Sequence, residues 1–182
     1  MDKKRSNDQK GINWITGKKI KLIVHKWRSD EDAILVGRKT VENDNPELTV
    51  REINGKNPIR IILDPSLKLN YNYKIFNKSS KTIIINSLID KKLKNLTYFK
   101  SDKDKMIPNL LDFLFKINVI SMIVEGGKET INSFLKLGYW NEARVIEGDK
   151  RYISGIKAPK LKKKWSHKKT IGNETIYTYF KE

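Results

Sequence analysis

The stretch "SMIVEGGKETINSFL", residues 121–135, runs an apolar segment into Glu125 and two glycines, and then into a helical pattern. A carboxylate buried without a partner is costly, so Glu125 either reaches solvent at the rim of a sheet or is held by hydrogen bonds, as to a ligand. Gly126 and Gly127 read in two ways: as a tight turn, or as room for a pyrophosphate against the N–H groups that open a helix over Lys128–Leu137, with Thr130 nearby. Gly138 closes that helix as a left-handed cap. Strand, glycine turn and helix in this order define one step of an α/β fold.

The same step occurs upstream. "AILVGRKT" (33–40) places a short buried strand over Ala33–Val36, then Gly37 and a short helix, with Arg38, Lys39 and Thr40 available to a phosphate. The spacing is not Gly-x-Gly-x-x-Gly, so a Rossmann dinucleotide site is not what it indicates. Further out, Ile20, Ile23, Val24 and Trp27 share one face of a helix from Lys18 to Arg28. Lys18 and Lys19 oppose that helix's dipole, so its start requires support from elsewhere. "DNPELTVR" (44–51) is a turn entering extended chain. "PIRIILD" (58–64), "KTIIIN" (81–86) and, more weakly, "LTYF" (96–99) are strands. Pro108 opens a helix through Ile117 that carries Leu110, Leu111, Leu114 and Ile117 inward. Val119–Val124 is a central strand, and "ARVIE" (143–147) and "ETIYTYF" (174–180) are late ones. Ligands of open α/β sheets bind beyond the carboxyl ends of the strands, which is where both glycine turns fall.

These 182 residues suffice for one domain, which we take as 1–182 with a polar segment over 1–13. No apolar run is long enough to span a bilayer, the start lacks the apolar core of a secretory signal, and cysteine is absent. Disulfides and cysteine-ligated metal are thereby excluded, no metal site is expected, and a cytoplasmic location fits. The net charge of +17 raises nucleic acid as a partner. Only seven of 38 basic residues are arginine, however, whereas phosphate clamps and groove readers favour arginine's fork. A coding bias toward Lys, Asn and Ile gives the same picture and is favoured here. The densest basic run, "KAPKLKKKWSHKK" (157–169), is the best nucleic-acid candidate, with Trp165 alone as a stacking surface. His25 reads as a packed histidine rather than a base, and His167 in the basic run carries less signal still.

Taken together, "WITG" (14–17), "VHKWRSDEDAILVGRKTVENDNPELTVR" (24–51), "PIRIILD" (58–64) and "IVEGGKETINSFLKLGYWNEARVI" (123–146) resemble the reductase half of the bifunctional riboflavin-biosynthesis deaminase/reductase. The likeness covers about residues 13–160, in order. It implies a dihydrofolate-reductase-like three-layer α/β/α fold, with a mainly parallel sheet and an antiparallel C-terminal strand. It also implies NADPH as cofactor, a homodimer, and reduction of 5-amino-6-(5-phosphoribosylamino)uracil to the ribitylamino product. Carried over by residue, the cofactor side is Trp14, Thr40, Asp44, Gly127, Lys128, Glu129, Thr130, Ile131, Asn132 and Ser133. The substrate side is Arg28, Leu48, Arg51 and Glu125, the last as a positioning group rather than a catalytic acid. The Gly-Arg-Lys-Thr string of dihydrofolate reductases adds Arg38 and Lys39 as contacts to a cofactor 2′-phosphate.

Two departures accompany the resemblance. The deaminase half is absent, so a separate deaminase chain is an expected partner. The family's first sheet strand also has no counterpart, since residues 1–13 hold one apolar residue besides Met1, and a substrate-facing polar position of many relatives is Ile12. A truncated or split reductase of low activity is the expectation that follows. The alternatives are a non-catalytic RNA-binding protein on the same fold, acting through 157–169, and a reductase of another pterin-like substrate.

Overall fold

Helices and strands alternate through most of the computed structural model, which describes residues 17–148 and 158–182. The expectations placed on residues 1–16, including Trp14, Ile12 and the first strand, lie outside the described residues, as does the start of the basic run.

Helix α1 (Lys18–Asp30) precedes strand β1 (Ala33–Gly37), helix α2 (Arg38–Asp44), β2 (Ile59–Leu63), β3 (Thr82–Asn86), β4 (Lys91–Lys92) and β5 (Leu96–Lys100). Helix α3 (Met106–Lys116), β6 (Met122–Val124), α4 (Lys128–Leu137), β7 (Glu142–Glu147), β8 (His167–Ile171) and β9 (Glu174–Phe180) follow. One sheet has the order β4-β5-β3-β2-β1-β6, parallel except for the β4–β5 pair. A second, three-stranded antiparallel sheet has the order β7-β9-β8.

Runs of β-branched residues suit strands buried on both faces, and two core clusters lie on opposite faces of the parallel sheet. Leu35, Ile61, Ile83 and Ile85 pack under Leu110 and Leu114 of α3 and Phe134 of α4. Ile34, Val36, Ile62 and Ile84 pack with Val41 of α2 and Leu48. Arg60, fully buried in β2, serves the second side by donating to Thr82 Oγ1 at 3.0 Å, Asn77 Oδ1 at 2.8 Å and the carbonyls of Asn77 and Ser80 at 2.6 Å each. A buried cation satisfied this fully fixes the loop that precedes β3.

Several element boundaries differ from expectation. The strand expected over Val119–Val124 is shortened to Met122–Val124 and lies at the edge of the parallel sheet among the described strands. Its start is replaced by a turn, with Asn118 at φ 58° and Asp32 Oδ2 accepting from Ile120 N and Ser121 N. Helix α3 begins two residues before Pro108 and ends before Ile117, which is 43% exposed rather than inward. The single antiparallel C-terminal strand is instead a sheet of its own. Strand β8 inside the lysine run was not anticipated, because its exposed "HKKTI" shows no apolar alternation. The start of α1 does receive outside support: Gly17 N donates to the Glu174 carboxylate of β9.

Candidate functional site

The carboxyl ends of β1 and β6 lie side by side, because Leu35 pairs with Val124 in parallel register. The two glycine turns therefore meet. Thr40 Oγ1 of α2 accepts from Gly127 N at 2.9 Å, tying the second turn to the helix after the first. A Cβ on Gly126 would stand 3.0 Å from Gly37 N and Val36 Cα, and one on Gly37 would stand 2.5 Å from Thr130 Oγ1. Close packing of the chain on itself thus accounts for Gly37 and Gly126. At Gly127 a Cβ would meet only Thr40 Oγ1, at 3.2 Å, so packing against backbone does not account for that glycine. Helix α4 starts there with no side-chain cap, and its first-turn N–H groups are directed out of the helix. Lys128, Glu129, Asn132 and Ser133 are exposed on it, while Thr130 and Ile131 are half-buried.

Beside this junction Glu125 follows β6, its N–H paired with Leu35 O at 3.0 Å. Its carboxylate faces Arg28 of α1 in a two-pronged pair, Nε to Oε1 at 2.8 Å and Nη2 to Oε2 at 2.6 Å. Burial alone would lower the Arg28 pKa, but the hydrogen bond and charge of Glu125 outweigh it and raise the value above the ordinary arginine range. Two residues expected on the substrate side, 97 positions apart, are therefore bonded to each other. Arg51 lies on the neighbouring segment and is half-exposed, with its Nη1 on Glu47 Oε2 at 2.8 Å. That contact, first among several, lowers the Glu47 pKa.

His25 is buried under the same segment. Its Nδ1 accepts from Arg51 N at 3.0 Å, which requires that nitrogen to be unprotonated. Burial, with Arg28 and Arg51 next, lowers its pKa to about 4, so it is a packed neutral histidine as expected. Leu48, also expected on the substrate side, is 3% exposed in the core and holds a left-handed φ of 55°. Asp44 ends α2, which Asn45 caps at φ 41° with its N–H on Val41 O.

Arg38 and Lys39 sit at the junction with carboxylates already on them. Lys39 pairs with Glu129 at 3.0 Å, and Arg38 pairs with Glu42 and, at 3.6 Å, with Asp64. Sequence reasoning passed over Glu42, Glu47 and Asp64. For Asp64 the signal was present, since it follows β2 just as Glu125 follows β6. A separate cavity of about 220 Å³ is lined by Leu67, Leu69, Tyr71, Ile84 and Tyr98 together with Asp64, and by none of the residues expected to bind a ligand. Part of the basic run is engaged internally: Lys163 Nζ donates to Phe180 O at 2.6 Å, and Lys168 lies over the Tyr177 ring at 5.7 Å. Among the described residues no cluster suits a metal ion, and no helix is long and apolar enough to cross a membrane.

A parallel sheet covered by helices, with a polar pair and a glycine junction at its carboxyl end, defines an α/β protein whose candidate site lies at its strand ends. The chain belongs to the RibD C-terminal domain family, whose model matches residues 2–177. It is 34% identical over 149 residues to the riboflavin biosynthesis protein RibD of Aquifex aeolicus, covering 79% of this chain and 42% of that protein. It is 30% identical over 155 residues to the 2,5-diamino-6-ribosylamino-4(3H)-pyrimidinone 5′-phosphate reductase of Archaeoglobus fulgidus, covering 75% and 70%. The chain thus spans less than half the length of the Aquifex RibD. Its fold matches a deaminase/reductase structure from Thermotoga maritima, with TM-score 0.78 and 24% identity over 89% of this chain and 48% of that one. The Saccharomyces cerevisiae riboflavin biosynthesis reductase Rib7 gives 0.74 and 24% over 90% and 81%. The fold is therefore the dihydrofolate-reductase-like one.

Proposed function

We propose that this chain reduces the ribosyl carbon of 5-amino-6-(5-phosphoribosylamino)uracil with NADPH, a step of riboflavin synthesis. The observation that carries this reading is the Arg28–Glu125 pair, held 2.6–2.8 Å apart beside the Gly127–Thr40 junction. A carboxylate fixed in this way accepts from substrate hydroxyl or ring N–H groups without having to reorient, and Arg51 on the adjoining segment suits a sugar phosphate. Thr40, Asp44 and the Gly127–Ser133 turn form the cofactor side, with Arg38 and Lys39 toward the 2′-phosphate. The residues fit such a group, since α4 opens with free N–H donors and Gly127 leaves space in front of them. The nicotinamide supplies the hydride, while the chain binds, orients and excludes water. Glu125 positions the substrate, and no general acid or base is assigned.

The A. fulgidus relative favours a second reading in which the substrate is the corresponding 2,5-diaminopyrimidinone phosphate. Incubating the purified chain with NADPH and each substrate, and following loss of the reduced cofactor's absorbance, tests both. Turnover of the uracil in preference to the diamino compound is expected. Preference for the diamino compound replaces the first reading with the second, and turnover of neither removes both. A homodimer and a separate deaminase chain belong to the same reading, and light scattering of the chain with and without a deaminase checks them.

A further inference from the structure

Arg38 stands between two carboxylates of unequal depth. Its Nε lies 3.6 Å from Asp64 Oδ1, and its Nη1 donates to Glu42 one turn along α2. Asp64 is 1% exposed, its Oδ2 accepts from Leu69 N at 3.0 Å, and its Oδ1 has no hydrogen bond among the described residues. Moving Arg38 away would leave a buried carboxylate facing no counter-charge, which is strongly unfavourable. Glu42, with its side chain 32% exposed, can be released into water at little cost, because exposed pairs contribute little. The guanidinium thus has one fixed partner on its Nε edge and one exchangeable partner at Nη1.

We propose that Glu42 is an internal competitor for the anion that Arg38 takes from the cofactor, and that Asp64 holds the guanidinium in place during the exchange. Glu42 thereby sets how strongly the chain prefers a 2′-phosphorylated dinucleotide over an unphosphorylated one. This rests on the reading of Arg38 as the 2′-phosphate contact. A phosphate monoester carries more charge and more acceptor oxygens than a carboxylate, so it displaces Glu42 where a ribose hydroxyl does not. Lys39 and Glu129 form a similar pair with side chains 66% and 79% exposed, where water screens the exchange and the effect is smaller.

Fluorescence titration of the chain with NADPH and with NADH tests this on wild type, Glu42→Gln, Asp64→Asn and Arg38→Ala. Glu42→Gln is expected to tighten NADPH by about two- to fivefold, the range of an exposed pair, and to leave NADH unchanged. Asp64→Asn is expected to weaken NADPH by about tenfold with a smaller effect on NADH. If Asp64→Asn does not fold, Glu42→Gln and Arg38→Ala still decide. Loss of selectivity in Arg38→Ala, with an unchanged NADPH-to-NADH ratio in Glu42→Gln, overturns the competitor. An unchanged ratio in Arg38→Ala removes the phosphate contact itself.

Discussion

At the scale of single residues, Glu125 and His25 make opposite use of burial. Arg28 meets both oxygens of the Glu125 carboxylate, so Glu125→Gln removes a charge-assisted bond to Arg28 and, on the proposed reading, one to substrate as well. The expected result is a fall in kcat/KM of about tenfold or more with NADPH affinity almost unchanged, measured by steady-state kinetics and cofactor titration. Loss of NADPH binding with intact substrate binding would show the two sides of the cleft to be assigned in reverse. His25 is neutral because it is buried beside Arg28, Arg51 and Lys21, with Glu52 as a counter-charge. Its pKa falls from 6.5 unfolded to about 4 folded. The unfolded chain therefore binds the proton first, and stability is full above the unfolded value and lost as pH falls through that interval. The difference is on the order of 3 kcal/mol. Urea melts between neutral pH and the folded pKa are expected to show a shallower pH dependence for His25→Gln than for wild type. Identical slopes would remove His25 from the acid response. The Arg28–Glu125 pair is not legible in the chain alone, since the two residues are 97 positions apart and only the folded chain brings α1 beside the residue that follows β6.

At the scale of elements, the glycine turns show why a correct pattern can carry an incomplete reason. Both turns are legible as strand-to-helix steps, and parallel pairing of β1 with β6 makes them neighbours. Which glycine is required by close packing and which is not is decided by contact distances that no spacing records. Gly126→Ala is expected to destabilise the chain by about 1–3 kcal/mol, because its Cβ meets the Val36–Gly37 backbone at 3.0 Å, where nothing can rotate away, and the Thr130 side chain at 3.0 Å. Gly127→Ala faces one hydroxyl at 3.2 Å and is expected to fold nearly as wild type while binding NADPH more weakly. Thermal melts paired with cofactor titration separate the two, and equal melting losses would contradict the division. The parallel strands were legible because β-branched runs buried on both faces leave a strong signal. Strand β8 was not, because it is held by backbone bonds to β9 and four of its five residues, His167–Thr170, are exposed. The strained φ of Leu48 leaves no sequence signal either, since a leucine in the left-handed region is uncommon.

At the scale of the molecule, the β7-β9-β8 sheet is a separate unit that must be held against the rest. Among the described residues its strands pair only with one another, and no described strand of the parallel sheet pairs with it. Three contacts on the described residues tie it to the helices. Arg144 of β7 lies over the Trp27 ring of α1 at 4.5 Å, Glu174 accepts from Gly17 N at the start of α1, and Lys181 donates to Gly138 O at the end of α4. A cation over an indole contributes roughly 0.5–2 kcal/mol, and the exposed contacts contribute less. The parallel sheet instead rests on two buried clusters and on Arg60, which together hold far more apolar contact. Opening free energies within one protein follow that difference, so the C-terminal sheet is expected to open first. The consequence reaches the cleft, because Trp27 precedes Arg28 on α1 and both turn with that helix. Trp27→Ala is therefore expected to raise amide exchange in Glu142–Glu147 and Glu174–Phe180 by about tenfold, with little change in β1, β2 and β3. The same variant should raise the substrate KM through Arg28 while leaving NADPH affinity near that of wild type. Uniform acceleration across both sheets would show that they open as one unit, and the separation argued from their contacts would be wrong.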